Sequence, residues 1–142
     1  PGRARGSGGP VLSWFIDSTI PIYAMGADSA WRPRCRAFLA RAAAEHRPLH
    51  CSVEALQEVL FHRLHRTSRE QALAEVAALE SSVVAHDFSL DIWRSARQLV
   101  AENDLRGRDA IHAATALALG FTQIVSIDAD FDGAPGLQRV NP

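Results

Sequence analysis

The sequence predicts one α/β domain built around a mostly parallel sheet. Short β-branched or apolar runs alternate with longer helical patterns, and most of those helical patterns open at a serine or a proline. In addition, two apolar runs, Leu12 to Asp17 (LSWFID) and Gln123 to Asp128 (QIVSID), each end in an aspartate. Each run reads as a buried strand with a carboxylate at its C-terminal tip. Ligands of open parallel sheets bind beyond the carboxyl ends of the strands, so the two aspartates are expected to meet at one crevice.

Residues 1–10, PGRARGSGGP, have no apolar periodicity and read as a flexible tail or an expression remnant ahead of a domain spanning residues 11–142. After the first strand, Pro21 is placed to open a short helix, and Ser29 to cap a longer one from Trp31 to about Ala44. Leu49 to Cys51 form the second expected strand. Ser52 caps a helix over Val53 to Leu64, whose stripe is Val53, Leu56, Val59, Leu60 and Leu64. Ser68 caps the next helix, to about Leu79, and Ser82 to Ala85 read as a third strand. Ser89 begins a helix to about Glu102. Gly107 breaks the pattern before a helix over Asp109 to Leu119, apolar on nearly every side and capped by Gly120. The Asp128 strand follows, and Leu137 to Val140 form a last edge strand.

Composition narrows the function classes. A chain of 142 residues buries roughly two-thirds of its unfolded surface as one domain. No run approaches the roughly 20 apolar residues of a membrane span, and no leader pattern is visible, so a soluble, cytoplasmic protein without a membrane role is expected. Cys35 and Cys51 lack the spacing of a metal or redox motif and are expected to be free structural thiols. The formal net charge of -1 argues against nucleic-acid binding through an overall basic field, so a polyanion would have to meet local arginines or bridging metal ions. All 15 basic residues are arginine, which hints at a GC-rich source.

Four places offer carboxylates that this alternation can bring together: Asp17, Glu54 or Glu58, Asp109, and the pair Asp128 and Asp130. Singly, each has an ordinary reading as a turn residue or a helix N-terminal acid. Glu58 lies about 170° from the centre of its helix's apolar stripe, which leaves both solvent and a cleft open to it. Clustering changes the chemistry. Two carboxylates 5 Å apart repel by roughly 3 kcal/mol at an effective dielectric near 20, so four together call for protons or a cation. A hard divalent ion such as Mg²⁺ or Mn²⁺ accepts these oxygens, keeps several waters and bridges carboxylates to phosphate. Phosphodiester hydrolysis is the reaction such a site suits.

These residues carry a family resemblance. The ordered segments Phe15 to Thr19 (FIDST), Ser52 to Val59 (SVEALQEV), Arg108 to Leu117 (RDAIHAATAL) and Ser126 to Phe131 (SIDADF) resemble a PIN domain, and more narrowly the VapC-type ribonuclease toxins of bacterial toxin-antitoxin modules. The likeness runs from Leu12 to about Asn141 and implies a three-layer α/β/α sandwich. It also implies that Asp17, Glu58, Asp109 and Asp128 form the catalytic quartet, and that Asp17, Asp109 and Asp128, with the more variable Asp130, hold Mg²⁺ or Mn²⁺ at an RNA phosphodiester. The resemblance prefers Glu58 to Glu54 because the family's glutamate typically follows the strand-ending serine by six residues, as Glu58 follows Ser52. Thr19 departs from a frequent asparagine; its hydroxyl is expected to bond a carboxylate, and Ser126 fits a small hydroxyl position. The expected partners are a VapB-like antitoxin that inserts a tail near the acidic cleft, an RNA substrate of the tRNA or rRNA class, and a second copy in a homodimer that uses the apolar early helices.

Other residues have plainer readings. His62 and His65 with a cysteine do not complete a tetrahedral zinc set. His112, one turn after Asp109, is expected to take a hydrogen-bonded packing role. Arg32, Arg34 and Arg36, and Arg63, Arg66 and Arg69, form two basic clusters read as solvated surface or RNA phosphate contacts. Arg106 and Arg108, just before Asp109, are expected to bind substrate or pair with the acidic site. Trp14, Trp31 and Trp93 are read as core or interface anchors. Two other functions compete with the nuclease: a non-catalytic PIN-like binding module, and a phosphomonoesterase suggested by the D-x-D of Asp128 and Asp130.

Overall fold

A computed structural model describes residues 13–142; the expected N-terminal tail lies outside the described residues, as does Leu12. The element order is β1 (Trp14–Phe15), α1 (Thr19–Met25), α2 (Trp31–Ala44), β2 (Leu49–Ser52), α3 (Val53–Leu64), α4 (Arg69–Ser82), β3 (Val84–His86), α5 (Leu90–Glu102), α6 (Gly107–Ala118), β4 (Gln123–Val125), a 3₁₀ turn (Ala129–Gly133) and β5 (Gln138–Val140). Every strand pair is parallel. The strands form two ribbons, β1-β2-β3 and β4-β5, joined by a parallel bridge between Ile16 and Val125. The spatial order is therefore β3-β2-β1-β4-β5. The chain leaves β1 in one direction and returns beyond it to β4, which makes the β1/β4 boundary a topological switch point.

Alternation along the short strands sends neighbouring residues to opposite layers. Phe15 and Ile124 pack with Ala96 of α5 and with Ala110, Ala113 and Ala114 of α6. Ile16 and Val125 pack on the other side with Ile20, Cys35, Phe38 and Ala55 from α1, α2 and α3. Helices thus cover both faces, and the expected α/β/α layering is present. Alanines let α6 lie close to α5 and the sheet. Cys35 and Cys51 are free and buried, and burial pushes their thiols up to about 11 and about 12, out of reach of ordinary redox chemistry.

Serine caps set the helix starts. Oγ of Ser29, Ser52, Ser68 and Ser89 accepts from the amides of Arg32, Glu54, Gln71 and Ile92 respectively. Gly120, at φ +85°, closes α6: its amide bonds to Leu117 and that of Phe121 to Ala116. Several boundaries differ from the sequence reading: strands β1 and β4 end at Phe15 and Val125, so Asp17 and Asp128 follow their strands in the chain and do not tip them. Helix α1 begins at Thr19, with Pro21 inside its first turn, where a missing amide costs little. Helix α4 continues to Ser82 because Ser81 and Ser82 donate back to the carbonyls of Ala78 and Leu79, so β3 begins at Val84. Gly107, read as a break, is the first residue of α6.

The three tryptophans divide. Trp14 packs against Phe38 in a tilted pair, centroids 4.8 Å apart, with the Arg47 guanidinium over its ring, whereas Trp93 is 45% exposed on α5. Among the described residues no helix is long and apolar enough to cross a membrane.

Candidate active site

The switch point gathers most of the expected acids. Asp17 follows β1 and is 2% exposed. Its Oδ1 accepts from the amide of Thr19 (3.1 Å) and from the Thr19 hydroxyl, and its Oδ2 accepts from the Ser126 hydroxyl (2.7 Å). Both hydroxyls also accept: Thr19 from the amide of Ile127 (3.2 Å) and Ser126 from the amide of Asp128 (2.9 Å). Each therefore links the end of β1 to the segment leaving β4. Burial pushes the Asp17 carboxyl up to about 6 against the opposing pull of the Thr19 hydrogen bond and the His112 charge.

Asp109 sits in the first turn of α6, where the helix amides favour an anion. Asp128 caps the 3₁₀ turn, its Oδ1 accepting from the amide of Asp130 at 2.9 Å. Ligand oxygens of Asp109, Asp128 and Asp130 all lie within 4.8 Å of one another. Burial, and then the charge of Asp128, push the Asp109 carboxyl up to about 7. This trio contains only hard oxygen donors and has no basic side chain bonded within it, which is the donor chemistry of a divalent-cation site. Asp17 stands outside the trio by that distance, yet close enough for its charge to raise Asp109.

Glu58 also stands outside the trio. It projects from α3, with its side chain 17% exposed, and Nε2 of His112 lies 2.5 Å from its Oε1. His112 is 1% exposed. Burial opposes charge on the imidazole, but the hydrogen bond and charge of Glu58, together with Asp17 and Asp109, outweigh it and raise His112 above its ordinary range. The packing role expected of this histidine therefore includes a specific bond to an expected catalytic acid. Arg108 approaches Glu54 at 3.8 Å with its own side chain 66% exposed. Arg106 is exposed at the N-cap of α6 and forms no ion pair among the described residues.

Two arginines have roles that differ from the sequence reading or were missed by it. Arg63, grouped with the exposed basic residues, is buried and holds Glu75 of α4 at 2.6 Å, so it ties α3 to α4 and is withdrawn from phosphate contact. Arg139 of β5 grips Asp132 with Nε (2.9 Å) and Nη2 (3.3 Å), while its Nη1 reaches the Ser126 carbonyl (3.4 Å) and Asn141 (2.7 Å). It spans the segment that carries Asp128 and Asp130. No local motif marks it; only the parallel pairing of β5 with β4 brings it there.

Fold and site together define an α/β protein with an acidic cluster at the switch point of a parallel sheet. The chain belongs to the PIN domain family, whose profile matches residues 14–137. It is similar to Ribonuclease VapC13 of Mycobacterium tuberculosis, 28% identical over 129 residues, covering 89% of this chain and 98% of that one. Ribonuclease VapC7 of the same organism is 28% identical over 131 residues, covering 89% and 90%. Among solved structures, DNA-bound VapBC from Salmonella typhimurium has a TM-score of 0.73 at 18% identity over 92% of this chain and 98% of that one. Mycobacterium tuberculosis VapC20, described as a sarcin-ricin loop cleaving toxin, has a TM-score of 0.69 at 21% identity over 84% and 93%.

Proposed function

We propose that this chain is a metal-dependent endoribonuclease toxin of the VapC type, active with Mg²⁺ or Mn²⁺ and neutralised by a VapB-like antitoxin. The observation that carries the reading is the convergence of Asp17, Asp109, Asp128 and Asp130 at the β1/β4 boundary. Similarity to proteins named VapC ribonucleases supports the reaction, and likeness to VapBC complexes supports the antitoxin.

Asp109, Asp128 and Asp130 would hold the cation, with Asp17 as the fourth acid behind them. Bound there, a divalent ion supplies Lewis-acid activation of water and of the scissile phosphate. The chain's own part is to fix the acids. Thr19 and Ser126 orient Asp17, and the amide of Asp130 orients Asp128. Glu58, held by His112, would complete the catalytic quartet with Asp17, Asp109 and Asp128. Arg106 and Arg108, exposed at the start of α6, are the nearest expected contacts for RNA phosphates on the sequence side of Asp109. The substrate is of the tRNA or rRNA class, and the active unit is a homodimer in the cytoplasm.

Incubation of the protein with tRNA and rRNA in Mg²⁺ or Mn²⁺, beside the Asp17→Asn variant, tests the reading. Cleavage by the wild type and its loss in the variant are expected; equal cleavage by both refutes the assignment. Metal binding by calorimetry separates it from a non-catalytic module, and turnover of a phosphomonoester would favour the phosphatase reading instead.

A further inference from the structure

The core-facing side of α6 is built almost entirely from alanine, with Ala110, Ala113, Ala114 and Ala116 all buried. His112 and Thr115 are the exceptions, and the Thr115 hydroxyl is spent within the helix on the Ile111 carbonyl. The His112 ring is 1% exposed, Nε2 meets Oε1 of Glu58, and Nδ1 is buried without a hydrogen-bond partner among the described residues. An imidazole with one orphaned nitrogen is a poor choice for packing alone, because burial removes both nitrogens from water and the fold repays only one. What it does secure is a carboxylate on a different helix. Glu58 comes from α3, and His112 is its sole hydrogen-bond partner among the described residues.

We propose that His112 is a positioning residue that fixes Glu58 beside the acidic cluster. The bond occupies Oε1 and leaves Oε2 without a protein partner among the described residues, so one carboxylate oxygen is anchored and the other is free to accept. Glu58 has no other anchor: it stands outside the Asp109, Asp128 and Asp130 trio. A long side chain on a helix surface without such a bond samples several rotamers, and the imidazole selects one. Because His112 is shielded from solvent, it acts through Glu58 and does not touch RNA.

The inference rests on the nuclease reading for its catalytic consequence, but the pair itself is testable without activity. In the wild-type protein, NMR should show a downfield, slowly exchanging imidazole N–H for His112 that is lost in Glu58→Ala. Persistence of that resonance in Glu58→Ala overturns the pair, whether or not the protein cleaves RNA. In cleavage assays, His112→Leu should lower kcat by about tenfold or more, as loss of an orienting partner does, with KM for RNA within about twofold. His112→Gln, which keeps an N–H donor, should recover most of that loss. Mn²⁺ affinity by calorimetry should stay within about threefold of wild type in both variants, since His112 ligates nothing. An unchanged kcat in His112→Leu overturns the positioning role. So does an equal loss in Leu and Gln variants that tracks their loss of thermal stability. Absence of RNA cleavage by the wild type would instead count against the nuclease reading, leaving the NMR result to decide the pair.

Discussion

The acids of the cleft are held in two different ways. Asp17 and Glu58 each have side-chain donors on separate elements: Ser126 and the neighbouring Thr19 for the first, His112 for the second. Asp109, Asp128 and Asp130 crowd one another, and the one hydrogen bond within that group runs from the Asp130 amide to Asp128. The first pair is positioned by the fold alone. The trio is a concentration of like charge that the His112 charge near Asp109 offsets in part, and such an arrangement favours protons taken up or a cation present. The division separates what the protein builds from what it must acquire.

Removing a member of the trio should break the site while relieving the fold. Asp109→Asn is expected to lower RNA cleavage by about 1000-fold and yet raise the melting temperature in chelator, because one confined charge is gone. Parallel cleavage assays and metal-free thermal melts check this; an unchanged or lower melting temperature would erase the contrast.

The same contrast predicts an unusual pH dependence. Asp17 and Asp109 have carboxyls raised from 3.8 to about 6 and about 7, so the folded chain holds their protons where the unfolded chain has released them. Their contribution is therefore complete below about pH 4 and lost as pH rises through 6 and 7, on the order of 3 kcal/mol for Asp109 after discounting its partial exposure. Denaturant titrations of metal-free protein, read as the difference between wild type and Asp109→Asn, should show this fall, and saturating Mn²⁺ should flatten it. A difference that grows with pH would sink the account. Glu75, lowered by its bond to Arg63, has the opposite sign and loses stability as pH falls.

Smaller effects belong to the groups that hold the first pair. Thr19→Val deletes a donor to Asp17 and the acceptor for the Ile127 amide. It should cost about 1–2 kcal/mol and about tenfold in cleavage, read by denaturation and single-turnover assays. Arg139→Met frees Asp132 and the Ser126 carbonyl. A loss of about 1 kcal/mol and a few-fold weaker Mn²⁺ binding are expected by calorimetry, since the trio's segment loosens without losing a ligand.

Much of this was legible before the fold was known, and the exceptions have physical causes. Helix α3 spans the predicted residues because its cap, stripe and strand-ending serine are all local signals. The carboxylates were legible for the same reason: Asp17 and Asp128 end apolar runs. What their neighbours do was not. Helical periodicity left Glu58 open to solvent or cleft, and only the tertiary approach of α6 to α3 reveals its bond to His112. Arg63 stood in a basic cluster, but the turn between α3 and α4 folds Glu75 over it, a pairing across twelve residues that no stripe reveals. The end of α4 was missed because β-branched residues suggested a strand where two serine hydroxyls extend the helix.

The bridge between Ile16 and Val125 is the narrow neck of the whole sheet. Beside it, the Thr19 and Ser126 hydroxyls cross the same gap, and the acids line up immediately beyond. A cation held by Asp109, Asp128 and Asp130 would fasten the first turn of α6 to the segment leaving β4, just beyond that neck. Loading the site would thereby also brace the β4-β5 ribbon against the helix layer.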